Sequence, residues 1–239
     1  MTAPDPRRPA ALRAVLFDMD GLLVDSEPLW FEVERAVMAR LGGQWGEADQ
    51  QALLGGSLDR TVSWLLAKAP GPASASRADV ARWLVADMAE LILARGLPLQ
   101  PGAAALIAGL DAAGVPYALV TASSRAIMEA ALTVTGLSFG VTVCGEDVRR
   151  GKPDPEPYLL AAARLGAPAA GCVVLEDSPT GIAAAQAAGC PVIAVPSAPV
   201  PPRPGLVTVG SLEAVGIDLL ENVATGNFDD PGRAVTNKF

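Results

Sequence analysis

The chain of 239 residues contains no histidine. Proton transfer therefore falls to carboxylates, Lys, Tyr or Cys, and a metal site has to be built from oxygen ligands. Cysteine is scarce too. Cys144, Cys172 and Cys190 are an odd number, each in or beside an apolar run, and no cluster of zinc ligands accompanies them. They read as small buried hydrophobes of a reducing cytosol, so a cytoplasmic location is expected. Cys144 stands at a strand end, but without a histidine base it reads as a buried thiol rather than a nucleophile. No apolar run reaches the roughly 18 residues of a spanning helix. The first thirteen residues hold Arg7, Arg8 and prolines without an apolar stretch, so no secretory signal is expected. Positive charge is in deficit. Against 26 Asp and Glu stand 18 Lys and Arg, and the net charge of −8 argues against nucleic acid or an anionic membrane as partner.

Apolar residues, by contrast, make up 51 % of the chain. Several form near-continuous short runs, as strands covered on both faces do. One run organises the rest: Ala14-Val15-Leu16-Phe17 leads without a break into Asp18-Met19-Asp20-Gly21. A strand ending on acids presents them at its carboxyl end, where open α/β sheets bind ligands. Strand alternation lets Asp18 and Asp20 start on one side. Two carboxylates so close repel unless one is protonated or a cation lies between them. A hard divalent ion, most simply Mg²⁺, would resolve the conflict. The plain alternative is a strand edge with solvated acids.

After this motif the pattern is helical. Pro28 suits a first turn, and Leu29, Val33, Val37 and Leu41 recur at helical spacing up to Gly42-Gly43. Residues 47–54, 58–68 and 78–95 continue it, so 28–96 reads as an all-helical block. Strands and helices then alternate. Strands are expected at 115–121, 141–144, 172–175, 192–195 and 206–209, and helices at 103–113, 126–135, 156–165, 180–188 and 211–220. Ser178-Pro179 is an N-cap followed by a first-turn proline. Residues 70–76 and 196–204 read as loops, and 1–10 and 223–239 as flexible tails. The expected fold is α/β, a Rossmann-like doubly wound parallel sheet with an inserted α-helical cap domain. Residues 11–27 and 97–222 form the core, and 28–96 project over the carboxyl edge of the sheet.

On that edge a constellation assembles. Strands end in Asp18/Asp20, Thr121/Ser123 and Glu176/Asp177, and Lys152 sits in a loop stiffened by Pro153 and Pro155. Taken singly, Thr121 and Ser123 are turn formers, Lys152 a surface cation, and Glu176/Asp177 a favourable helix lead-in. Together they suit a phosphate ester with Mg²⁺: carboxylates for the metal, Lys and hydroxyls for phosphate oxygens. Trp30, Trp64 and Trp83 read as helix-packing residues.

The four stretches resemble those of the haloacid dehalogenase superfamily of phosphohydrolases, in the branch of β-phosphoglucomutase and the sugar-phosphate phosphatases. They are Phe17-Asp18-Met19-Asp20-Gly21 with Asp25-Ser26-Glu27-Pro28, then Val120-Thr121-Ala122-Ser123. Gly151-Lys152-Pro153-Asp154-Pro155 and Val174-Leu175-Glu176-Asp177-Ser178-Pro179-Thr180-Gly181 follow. The likeness covers roughly residues 12–220. It implies a helical cap and a Mg²⁺-dependent phosphatase acting on a small phosphate monoester, a sugar or polyol phosphate, through an aspartyl-phosphate. Asp18 would be the nucleophile and Asp20 the acid and base. Asp18, the backbone carbonyl of Asp20, Asp177 and Glu176 (directly or through water) would hold the metal. Thr121, Ala122, Ser123 and Lys152 would bind phosphate. Glu27, Arg60 and Arg125 are candidate substrate selectors near the cap stretch 55–60, and hinges are expected at Asp25–Pro28 and Gly96–Pro101.

Three other readings compete. Dehalogenases of the superfamily lack a second Asp in the first motif, so Asp20 argues against them. A β-phosphoglucomutase-type mutase carries a His where this chain has Trp30, and its arginine for a second phosphate falls near Leu58, with Arg60 close by. An inactive binding or regulatory relative would lack a charged motif residue, and none is missing. The partner is expected to be a small phosphorylated metabolite, and a monomer is the default.

Overall fold

The structure is a computed structural model that describes residues 11–53, 56–70, 75–196 and 206–227. The expected lead at 1–10, most of the loops at 70–76 and 196–204, and the tail from 228 lie outside the described residues, as do Leu54 and Gly55.

The described strands are β1 Ala14–Phe17, β2 Tyr117–Val120, β3 Val141–Val143, β4 Cys172–Glu176, β5 Val192–Ala194 and β6 Leu206–Thr208. They pair in parallel in the order β3-β2-β1-β4-β5-β6. The order reverses beside β1, which places a crevice at its carboxyl end. Successive residues of β1 face opposite layers. Val15 and Phe17 enter one apolar cluster with Leu119, Leu175 and Ile193, and Ala14 and Leu16 enter the other with Val120, Val174 and Val192. Both faces are thus covered, which is why the run carries no polar residue before Asp18. Phe17 packs edge-on against Tyr117 and Phe139, with ring centroids 6.3 and 6.2 Å away. Its burial alone contributes about 2–3 kcal/mol.

The block between β1 and β2 holds α1 Glu27–Arg40, α2 Glu47–Leu53, α3 Leu58–Lys68 and α4 Arg77–Arg95. Ser57 caps α3 by accepting the Arg60 N–H, and Ser76 and Asp79 form a reciprocal capping box on α4. Gly96 ends α4 at φ 79°, a conformation that favours glycine. The sheet is then flanked by α5 Ala103–Ala113, α6 Arg125–Thr135, α7 Glu156–Arg164, α8 Pro179–Ala187 and α9 Ile217–Ala224. Val80, Leu84, Met88 and Ile92 share one face of α4 and enter the same apolar cluster as Ile127, Met128 and Ala131 of α6. The helical block is therefore seated on the core along α4 and α6.

The two crossings between block and core run side by side. The Asp25 N–H donates to the Pro98 carbonyl at 2.9 Å and the Gln100 N–H to the Leu23 carbonyl at 2.8 Å, around an antiparallel bridge of Val24 with Leu99. The Gln100 side chain adds a bond to the Gly21 carbonyl at 3.1 Å.

One element differs from expectation. The last helix, expected at 211–220, is a single 3-10 turn at Leu212–Ala214 followed by α9. Val215 and Gly216 are extended, so the helical path restarts after the glycine and carries Val223 and Ala224, both buried, past the expected start of the tail. Among the described residues no helix is long and apolar enough to cross a membrane.

Candidate active site

Because β2, β1 and β4 are neighbours, their polar exits meet in space. They form the floor of a cavity of about 520 Å³ whose far wall is the helical block. Asp18 and Asp177 line the floor beside Lys152, with Asp20, Ala122 and Ser123 next to them.

Lys152 is enclosed. Its ammonium pairs with Asp18, with Glu176 Oε1 at 2.7 Å and with the Val120 carbonyl at 3.1 Å. Burial works against its charge, but Asp18 and Glu176 outweigh burial and hold it above the usual lysine range. Glu176 is fully buried. Its Oε1 also accepts the Tyr158 hydroxyl at 2.8 Å, and its Oε2 accepts the Ser178 N–H and hydroxyl, both at 3.0 Å. The Tyr158 ring lies under the Lys152 ammonium, 5.0 Å from nitrogen to centroid. A Cβ on Gly181 would fall 1.5 Å from Glu176 Oε1, so glycine there lets the carboxylate lie against the start of α8.

Asp20 is held by three hydroxyls. Ser26 donates to Oδ1 at 2.7 Å, and Ser123 and Thr121 donate to Oδ2 at 2.8 and 3.2 Å. Asp177 is different: its Oδ1 is buried with no hydrogen-bond partner. Gly21, at φ 82°, opens the space beside it, for a Cβ there would stand 2.2 Å from Asp177 Oδ2. Burial, and then the charges of Asp18 and Glu176, push the Asp177 carboxyl well above the usual range. Burial raises Asp18 as well, against the pull of Lys152. Oxygens of Asp18, Glu176 and Asp177 lie within 4.8 Å of one another. An orphaned carboxylate oxygen among crowded acids fits a divalent cation. Glu176 already spends its oxygens on four hydrogen bonds, which leaves Asp18 and Asp177 as the carboxylates free to face such an ion.

The family model described as haloacid dehalogenase-like hydrolase matches residues 12–189. The chain belongs to this family. Among its relatives, hexitol phosphatase A of Escherichia coli (strain K12) is 38 % identical over 185 residues, 77 % of this chain and 82 % of that one. Protein CbbY of Rhodobacter capsulatus is 33 % identical over 195 residues, 78 % of this chain and 86 % of that one. The crystal structure of CbbY from Rhodobacter sphaeroides in complex with phosphate superposes with a TM-score of 0.78 at 29 % identity, covering 87 % of this chain and 99 % of that one.

In this haloacid dehalogenase-like hydrolase the residues singled out by sequence fall into three groups. Asp18, Asp20, Ala122, Ser123, Lys152 and Asp177 line the cavity floor. Glu27 and Arg60 line its wall, where Glu27 is bonded by Gln50 and Arg60 donates to the Ala52 carbonyl at 2.7 Å. Arg125 does not join them, because its guanidinium is taken by Asp147 at 2.8 Å. The Thr121 and Ser123 hydroxyls point at Asp20. Trp30 corrects an expectation: it lines the cavity instead of serving only to pack helices, whereas Trp64 bonds Asp49 at 3.2 Å and Trp83 lies under Arg40. Burial pushes the Cys144 thiol up to about 11, which agrees with an inert buried cysteine.

Sequence reasoning passed over Ser26, Tyr158 and Glu34. The signal for Tyr158 was a lone aromatic in the alanine-rich α7, six residues after Lys152. Burial, then the Glu176 charge, hold its hydroxyl protonated as a donor. Tyr158→Phe removes that donor from a buried carboxylate and is expected to lower stability by about 1.5–3 kcal/mol, measured by urea titration.

The metal-free site also sets a pH dependence. Folded Asp18 and Asp177 keep their protons to higher pH than the unfolded chain does. The unfolded state therefore deprotonates first, and stability in EDTA falls as pH rises from about 4 through the folded Asp18 value of about 7 to that of Asp177 at about 9. Below the ordinary Asp value of about 3.9 the effect is gone. A divalent cation held between the two carboxylates would offset the loss, so adding one is expected to raise Tm more at about pH 8 than at about pH 5.

Proposed function

We propose that this hydrolase cleaves a phosphate monoester of a sugar or polyol with Mg²⁺, through an aspartyl-phosphate on Asp18. It is a phosphoric monoester hydrolase, and the observation that carries the reading is the Asp18–Lys152–Asp177 floor opening into a cavity large enough for a small metabolite. Asp18 Oδ attacks phosphorus as the ester P–O bond breaks, and Asp20 gives its proton to the leaving oxygen. Water then attacks the acyl phosphate, returns a proton to Asp20, and frees inorganic phosphate and Asp18. The hydroxyls of Ser26, Thr121 and Ser123 hold Asp20 in place for both transfers. Lys152 stands against phosphoryl oxygens with Glu176 and Tyr158 fixing it from behind, and Ala122 and Ser123 border the same space. Asp18, the Asp20 carbonyl and Asp177 would hold Mg²⁺, with Glu176 in the layer behind. The ion would supply positive charge for the phosphoryl group.

In this reading residues 28–96 act as a cap over a core of 11–27 and 97–222 and exclude water from the cavity. Water rather than a second sugar hydroxyl accepts the phosphoryl group, since the cavity presents Trp30 and the chain holds no histidine. The hexitol phosphatases among the relatives make hexitol phosphates the first panel to assay. Initial rates of phosphate release are expected to need Mg²⁺ and to vanish in EDTA. With β-glucose 1-phosphate and a trace of glucose 1,6-bisphosphate, inorganic phosphate is expected, with no more glucose 6-phosphate than hydrolysis of the trace bisphosphate can supply. Glucose 6-phosphate formed there in excess of the bisphosphate supplied would return the mutase reading, and no release from any ester would remove the phosphatase one.

A further inference from the structure

The wall of the cavity carries groups that the phosphate chemistry leaves unused. Glu27, Trp30 and Glu34 stand at i, i+3 and i+7 on α1 and line the cavity as one stripe. Glu34 is only 5 % exposed. Its Oε2 accepts the Trp45 indole N–H at 3.1 Å, while its Oε1 has no partner among the described residues. Oε1 is not sealed off as Asp177 Oδ1 is, so it faces the open space of the cavity, where an entering donor can reach it. The other side of Glu34 is braced. Lys68 lies 5.8 Å from the Trp45 ring centroid and pairs with Asp49, which also accepts the Trp64 indole N–H and the Gly46 N–H. The carboxyl is thus fixed from behind and open in front.

The charges on this wall are as informative as the hydrogen bonds. Among the described lining residues the cations are Lys152 and Arg60. Lys152 is committed to Asp18 and Glu176, and Arg60 is exposed and turned to the Ala52 carbonyl. The α1 stripe offers two carboxyls and no cation to a group distant from the reacting phosphate. An indole between two acceptors suits a chain of C–H faces and hydroxyls. Burial raises both carboxyls, Glu34 to about 7, so above that pH a second phosphate meets the Glu34 charge.

We propose that Glu34 sets specificity, accepting a distal hydroxyl of the leaving alcohol through its free oxygen, while the Glu27–Trp30–Glu34 stripe turns away alcohols that carry a second phosphate. This rests on the phosphatase reading and narrows its substrate to monophosphates of uncharged polyols.

The test is steady-state kinetics of the full chain with Mg²⁺ on D-sorbitol 6-phosphate, D-fructose 1,6-bisphosphate and p-nitrophenyl phosphate. The wild type is expected to prefer sorbitol 6-phosphate over the bisphosphate by about tenfold or more in kcat/KM. Glu34→Met removes the acceptor and is expected to raise KM for sorbitol 6-phosphate about tenfold relative to the change for p-nitrophenyl phosphate, with kcat altered less. Glu34→Gln keeps the Trp45 bond, serves if Met does not fold, and is expected to narrow the gap to the bisphosphate by about threefold or more. Equal fold-changes on all three substrates in a folded variant would show a structural role only and overturn the proposal, as would a wild type equally fast on the bisphosphate. Absence of Mg²⁺-dependent release from all three would overturn the phosphatase reading and the proposal with it.

Discussion

Asp18→Asn is expected to lower phosphate release by more than about 10³-fold, since a carboxamide cannot form the acyl phosphate. The fold is expected to survive. Asn keeps the shape of Asp and one oxygen for the Lys152 ammonium, and it removes an acid from beside Asp177. In EDTA at about pH 8 the variant should therefore melt no lower than the wild type, because the repulsion that raises Asp177 is reduced. A phosphate assay on p-nitrophenyl phosphate and a melting curve decide both points. Activity within about tenfold of wild type would rule out Asp18 as nucleophile.

Lys152→Met is expected to damage activity and stability together. The ammonium is the shared partner of two buried carboxylates, at Asp18 and at Glu176. Taking one member from a buried ion network leaves uncompensated charge, a loss of about 3–5 kcal/mol. Tyr158 and Ser178 still bond Glu176 but bring no positive charge. Urea titration measures the first effect. The second is expected to be a fall of about 10²–10³ in kcat, as for loss of one preorganised charge-stabilising group. An unchanged urea midpoint would mean that Glu176 and Asp18 find other partners.

Much of this was legible in the chain. β1 announced itself because a strand buried on both faces admits only apolar residues, so the change at Asp18 is abrupt. α8 announced itself through Ser178, whose side chain accepts the Gly181 N–H, whereas the caps Ser57 and Ser76 were read only as loop residues. The floor of the site followed, since a parallel sheet sends all strand ends to one edge. The wall did not. The apolar stripe Leu29, Val33 and Val37 made α1 look amphipathic, so Trp30 beside it reads as a packing residue and Glu34 as part of the polar face. Only the tertiary placement of α2 and α3 turns that polar stripe inward. Arg125 failed for a related reason: it follows the Thr121 motif in sequence, but the turn after Cys144 brings Asp147 to it first. Loss of helix at Val215-Gly216 is local backbone behaviour at a glycine, which a windowed pattern smooths over.

The paired crossings at Leu23–Asp25 and Pro98–Gln100 also bear on how the molecule responds to being cut. Two separate wires would let the helical block drift once either was severed. Here the crossings are laced into a ribbon, and α4 is glued along α6, so a single protease nick in one crossing leaves the pieces in register. Such a nicked chain should elute as one particle in gel filtration and fall apart only when denatured.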